Sequence, residues 1–180
     1  MNFTVQNDEE VLKTLVGKFH RSKWRKLGEP LYSRKSIELL SKMITPEFEA
    51  FEYGSGMSTV WLRQRVKFLW SVEHNYLWWD RVWYNLDRLY LHQHGNLLLI
   101  QDLKQYPKAI ETISRSFDIV FIDGRKRVQC IKAAKDKVKH GGYILLDDAS
   151  RFRYKKVHKI LREWERINKE DKRTAIWRRP

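Results

Sequence analysis

The stretch Phe51-Glu52-Tyr53-Gly54-Ser55-Gly56-Met57-Ser58-Thr59 sets two glycines one residue apart behind an apolar lead-in that contains an acid. Glu73 follows, seventeen residues after Gly56. This pattern predicts a strand that turns sharply into a helix, because glycine permits the tight turn and lets a ligand approach the backbone. The helix then points its free N–H groups at the bound molecule. A second strand, Val66 to Glu73, ends in a carboxylate. At that place in a doubly wound sheet an acid accepts hydrogen bonds from both hydroxyls of a ribose. The two features together imply a nucleoside-containing cofactor. A dinucleotide is disfavoured, because its fingerprint requires a third glycine where this chain has Thr59.

Such residues need a scaffold, and the texture of the chain supplies one. Residues 8–27 and Ser33 to Ile44 read as helices, with breaks at Gly28-Glu29-Pro30 and Pro46. From residue 48, strands and helices alternate. Predicted strands are Phe48–Tyr53, Phe68–Glu73, Asn96–Ile100, Phe117–Ile122 and Gly142–Leu146, with a weak one at Thr174–Trp177. Predicted helices are Ser58–Arg65, Tyr76–Leu91, Pro107–Arg115, Lys126–Lys139 and Arg151–Asn168. The expected fold is α/β, three-layered and Rossmann-like: a mostly parallel twisted sheet with helices on both faces. One domain spans 1–180, with N-terminal helices in 1–45 and the cofactor-binding core and basic C-terminal helix in 46–180. In such sheets ligands bind beyond the carboxyl ends of the strands. The five strong strands are followed there by Gly54-Ser55-Gly56, Glu73-His74, Gln101-Asp102, Asp123-Gly124-Arg125 and Asp147-Asp148, with a carboxylate at or beside every edge. Along Tyr76–Leu91, the spacing of Trp79, Val82, Trp83, Leu86 and Tyr90 predicts packing against the sheet, with Trp78 the most exposed tryptophan.

Composition bounds the function classes. The chain has 180 residues, 42% hydrophobic and 32% charged, which describes a globular protein with a real core. No apolar run approaches bilayer length, and the N-terminus lacks the pattern of a signal peptide. A single cysteine, Cys130, fits a reducing, cytoplasmic setting, and its apolar neighbours mark it as a core residue rather than a nucleophile. The net charge of +14 is uneven: residues 125–180 carry 19 Lys/Arg against 7 Asp/Glu. A basic patch of that kind attracts polyanions such as nucleic acid, an acidic membrane surface or a phosphorylated substrate.

With all five edges in view, residues 33–165 resemble the class I S-adenosylmethionine-dependent methyltransferases. The resemblance implies S-adenosylmethionine as cofactor, bound by Glu52, Gly54, Ser55, Gly56, Ser58, Thr59, Glu73, His74, Asp102 and Asp123. Glu73 would hold the ribose, Asp102 the adenine amine, and Asp123 would line the methyl-transfer site. His74, directly after the ribose acid, is expected to pack on the adenosine side. The runs Phe117–Asp123 and Gly141–Asp148 look like the catechol and caffeoyl-coenzyme A O-methyltransferases, which implies a Mg²⁺ site of Asp123, Asp147 and Asp148. This chain departs from that pattern at Asp148 and at Gly124-Arg125, where Arg125 is placed to pair with Asp123 instead of a metal. Asp-Gly-Arg after strand four, with Ser150-Arg151-Phe152-Arg153-Tyr154 after strand five, is also similar to methyltransferase-like bacterial proteins. Arg125, Arg151, Arg153 and Tyr154 are then candidates for binding an anionic substrate, and Asp123 or Asp147 for the base. Complete enzymes of this class end in an antiparallel hairpin, which here looks shortened or absent, so a homodimer completing the sheet is plausible. The competing readings are a non-catalytic module that grips RNA or another polyanion through the basic C-terminal third, and a nucleotide-sugar or NAD enzyme.

Overall fold

A computed structural model describes residues 29–180; the helix expected over residues 8–27 lies outside them. Seven strands form one sheet in the order β3-β2-β1-β4-β5-β7-β6. They are β1 (Glu49–Tyr53), β2 (Phe68–Glu73), β3 (Gly95–Leu99), β4 (Phe117–Ile122), β5 (Val138–Leu146), β6 (Glu165–Arg166) and β7 (Ala175–Arg178). The first five pair in parallel, and β7 runs antiparallel to both β5 and β6. The helices are α1 (Arg34–Met43), α2 (Met57–Arg63), α3 (Tyr76–Arg88), α4 (Arg127–Ala134) and α5 (Lys155–Ile160). None of the described helices is long and apolar enough to cross a membrane.

Strand alternation divides the core into two faces. Phe51, Tyr53, Val120 and Ile122 point to one side, where Ile110, Cys130, Ile131 and Val157 cover them. Ala50, Ile119 and Phe121 point to the other, against Tyr32, Ile37, Leu40, Trp61 and Leu62. Cys130 is fully buried in the first layer, as its neighbours imply. Both termini of α1 follow the expected boundaries. Ser33 caps it by accepting the Ser36 N–H at 3.1 Å, and Ile44 closes it.

One expectation is resolved and two are corrected. The C-terminal hairpin is short but present, so the chain supplies its own sixth and seventh strands. Its turn is tied by Asp171, which accepts hydrogen bonds from the Arg173 and Thr174 N–H groups and from the hydroxyls of Ser33 and Ser36 in α1. The long helix expected over 151–168 is therefore confined to α5 and a preceding 3₁₀ turn, Phe152–Tyr154. Ile167 instead donates to the Ile176 carbonyl at 3.0 Å, and Asn168 accepts the Ile176 N–H at 2.8 Å, which drives this segment into the sheet. Finally, β5 starts at Val138, four residues early, with a register shift between Phe117 and Ile119 that absorbs the Gly141-Gly142 pair.

The first turn of the site is held from below by Glu52. It is completely buried on β1, and its carboxylate accepts hydrogen bonds from Thr59 Oγ1 (2.6 Å), Ser71 Oγ (2.8 Å) and Ser58 Oγ. Three hydroxyls from α2 and β2 thus converge on one acid. Burial pushes its pKa up to about 7 despite those bonds. The strand ends also meet closely. Tyr53 pairs with Ile122, so the two turns that follow lie side by side. A side chain on Gly54, which has φ +92°, would come within 2.7 Å of the Gly124 backbone. One on Gly124 would meet the Tyr106 hydroxyl at 2.1 Å.

These contacts carry two expectations. Gly54→Ala and Gly124→Ala should each cost about 3 kcal/mol or more, from overpacking with positive φ added at Gly54. Gly141→Ala, at φ +73° but with nothing nearer than 3.8 Å, should cost only about 1 kcal/mol. Equal losses for all three in urea unfolding would refute the close approach. The raised pKa of Glu52 means the native state holds an extra proton between its ordinary value and about 7. Its contribution therefore weakens as pH rises through that window. Wild-type stability relative to Glu52→Gln should fall by about 3 kcal/mol between pH 4.5 and 7.5. A pH-independent gap would show that the carboxylate is not desolvated.

Candidate functional site

The carboxyl edge of the parallel strands opens into a cleft of about 1510 Å³. Its floor is built from the ends of β1, β2 and β4: Gly54-Ser55-Gly56, Glu73-His74 and Asp123-Gly124. One wall comes from α3, through Leu77, Trp78 and Arg81. The opposite wall is basic and comes from the start of α4 and the turn after β5, through Arg125, Lys126, Arg127, Arg151, Arg153 and Tyr154.

Glu73 is the best-prepared acid in this cleft. It is 4% exposed, and its carboxylate accepts N–H groups from Ser55 (3.1 Å), His74 (2.8 Å) and Asn75 (2.8 Å). Three backbone donors fix the position of that carboxylate. His74 Nδ1 lies 2.7 Å from Oε1, and its Nε2 faces Arg125 Nε at 3.4 Å. The Trp78 indole donates to the Ser55 carbonyl at 2.6 Å, clamping α3 onto the glycine turn. The tryptophans are thus arranged differently from expectation. Trp78 is half-buried and bonded, whereas Trp83 is 47% exposed, and Val82 and Leu86 face inward.

The acids after β4 and β5 are organised by Arg127. This 9% exposed guanidinium donates to the Asp123 carbonyl (2.6 Å), Asp123 Oδ1 (2.7 Å), the Gly124 carbonyl (3.0 Å) and the Asp147 carbonyl (2.6 Å). Asp148 pairs with Arg151 at 2.6 Å and lies 3.7 Å from Arg127. Asp147 faces away from the cleft; it accepts the Thr174 hydroxyl at 3.0 Å, with Arg173 at 3.7 Å. Burial is the main cause that raises the pKa of both Asp123 and Asp147. For Asp123, neighbouring Asp147 adds to the rise and Arg127 opposes it.

The Mg²⁺ expectation is corrected by these pairings. No group of three His, Cys, Asp or Glu side chains is placed to hold a metal among the described residues. Arg127, Arg151 and Thr174 each engage one oxygen of these acids, and Asp147 is turned to Thr174 and Arg173 rather than toward Asp123 and Asp148. The partner of Asp123 is also not Arg125. Lys126 adopts a left-handed conformation, φ 51°. Arg125 lies outside the short helix, at 3.4 Å from His74, while Arg127 is the residue that meets Asp123.

Of the residues singled out from sequence, the cleft gathers Gly54, Ser55, Gly56, Ser58, Glu73, His74, Asp123, Arg125, Asp148, Arg151, Arg153 and Tyr154. It does not gather Glu52, Thr59, Asp102 or Asp147. Glu52 and Thr59 sit beneath the turn. Asp102 is exposed and caps its own loop, accepting the Lys104 N–H at 2.8 Å. Sequence reading missed Tyr106, whose hydroxyl packs against Gly124, and Arg81 and Lys126 on the walls. Tyr106 carried no local signal, because it precedes Pro107 in what reads as an ordinary helix start.

No protein-family model matches the sequence, and no curated protein matches it. Solved structures do. A methyltransferase-like protein from Silicibacter pomeroyi is 24% identical, with 83% of this chain and 87% of that one aligned at a TM-score of 0.65. A Staphylococcus aureus protein assigned as a caffeoyl-CoA O-methyltransferase is 14% identical over 84% of this chain and 86% of its own, with a TM-score of 0.63. A Streptococcus mutans protein solved in complex with SAH is 13% identical over 81% and 96%, with a TM-score of 0.62. At such identities the likeness is one of fold. The strand order, the antiparallel seventh strand and these alignments agree that the chain has the Rossmann-like fold of the class I S-adenosylmethionine-dependent methyltransferases.

Proposed function

We propose that the protein is an S-adenosylmethionine-dependent methyltransferase whose substrate carries an anionic group. The observation that supports this most directly is the buried Glu73 carboxylate, held by three backbone N–H groups beside the Gly54-Ser55-Gly56 turn and open to one large cleft. A fixed acid at this sheet position suits the two hydroxyls of a ribose. The SAH bound by one protein of like fold supports the choice of nucleoside.

The donor set fits the cofactor. Glu73 accepts the ribose hydroxyls, and Gly54-Ser55-Gly56 brings the backbone close to the ligand. Trp78 lines the wall with an apolar face. When bound, the cofactor supplies an electrophilic methyl group on sulfur. The chain's own work is then to orient a nucleophile, exclude water and receive a proton. Asp123 is 30% exposed at the side chain, and Arg127 engages only one of its oxygens. The other oxygen is available to take the proton of a substrate hydroxyl or amine. Its raised pKa makes it a better proton acceptor than an ordinary carboxylate near neutral pH. Arg125 and Arg153 make no ion pair among the described residues and stand on the same rim, where an anionic group would be neutralised.

Calorimetric titration with S-adenosylmethionine tests the cofactor. Wild type should bind at micromolar affinity, and Glu73→Ala should weaken binding about 100-fold, the loss expected for two hydrogen bonds to a charged acceptor. Arg153→Ala should bind the cofactor within about twofold of wild type. A folded wild type that does not bind, or Glu73→Ala binding normally, would sink the assignment.

A further inference from the structure

The cleft does not end at its basic wall. Val128 and Gln129 line it and also line a second cavity of about 520 Å³ between α4 and α5. Besides Val128 and Gln129, that cavity is bounded by Lys132, Lys156, Lys159 and Ile160. No carboxylate lines it. The three lysines are exposed, and none forms an ion pair or hydrogen bond among the described residues. A run of uncompensated cations therefore leads from Arg125 and Arg153 at the cleft into a groove along the protein's side. Like charges gathered without counterions repel one another, so this arrangement favours an external anion with several charges.

A second feature gives that anion a character. Phe152, in the turn just before α5, is 79% exposed, and Lys155 Nζ lies 4.4 Å from its ring centroid. Phe152 opens the segment that carries Arg153 and Lys156. A protruding aromatic ring between cations offers a flat π-face beside a charge-neutralising track, which is how sequence-tolerant binding of single strands works.

We infer that the groove from the cleft past Val128 and Gln129 to Lys132, Lys156 and Lys159 binds a single-stranded nucleic acid, with Phe152 as a stacking platform. One end of the bound strand reaches the cleft. A strand suits this site better than a duplex, because a base can enter a cleft only when unpaired. Assigning the strand as the methylated substrate rests on the methyltransferase reading; binding in the groove does not.

The full chain, a fluorescein-labelled 20-residue oligouridylate and heparin test the inference. Exposed lysines tolerate substitution, so Lys132→Gln/Lys156→Gln/Lys159→Gln should fold normally. It should lower the salt slope of oligonucleotide binding by about 2 and weaken binding at 0.1 M salt about 100-fold. Phe152→Ala should weaken oligonucleotide binding about tenfold and leave heparin retention unchanged. Both variants should bind S-adenosylmethionine as wild type does. Unchanged oligonucleotide binding in the triple variant overturns the proposal. So does a Phe152→Ala effect that is absent, or equal on heparin and oligonucleotide, since the groove would then hold any polyanion. Loss of strand binding in the triple variant, together with no S-adenosylmethionine binding by wild type, upholds the groove and overturns methyl transfer instead.

Discussion

The buried guanidinium of Arg127 is the constraint around which the site is arranged. The ends of β4 and β5 bring three backbone carbonyls and three carboxylates into one small volume, a concentration of negative charge that needs compensation. Arg127 provides it with a planar fork that meets four oxygens at 3.0 Å or less. A lysine in its place would offer the charge but not the simultaneous geometry. Because the fork spans Asp123 and Asp147, it also fixes how far apart the two strand ends stand. The left-handed turn at Lys126 gives Arg127 that inner position and leaves Arg125 on the basic rim.

Two glutamates illustrate how differently the same acid is used around one turn. Glu52 and Glu73 lie on adjacent parallel strands, both buried and each accepting three hydrogen bonds of 3.1 Å or less. Glu52 receives hydroxyls, which rotate and can accommodate either protonation state, and burial raises its pKa. Glu73 receives backbone amides, which are rigid and only donate. Amides fix a carboxylate in place, while hydroxyls merely accommodate one. The first acid braces the turn and the second presents a ready acceptor to the cleft.

The parallel core was legible because each strand is a short apolar run stopped by polar residues, and because an acid stands at or beside the carboxyl end of every strong strand. Glu73, Asp123 and the glycine turn reach the cleft as that pattern implied. The rest depended on contacts far apart in sequence. That Arg127 rather than Arg125 meets Asp123 depends on one backbone torsion at Lys126. The end of the last helix depends on Asn168 bonding to Ile176, not on any helix breaker. The inward turn of Trp78 depends on a carbonyl at Ser55, which helical periodicity cannot see. Metal ligation by Asp123, Asp147 and Asp148 looked plausible from residue type alone, and it fails on the positions of Arg127, Arg151 and Thr174. A fold shared at these identities leaves the substrate to be argued from such details.

The contact between Gly54 and Gly124 has a consequence for which substitutions the chain can absorb singly. A side chain on Gly54 would come within 2.7 Å of the Gly124 backbone, and the two residues belong to turns seventy residues apart in the chain. Neither can acquire a side chain while the other backbone and Tyr106 stay where they are. A first substitution at either position therefore has to move the strand ends apart before a second can follow. The pair acts as a latch between the two turns: walls and rim can take new side chains without disturbing it, while a change at the junction is felt by both strand ends at once.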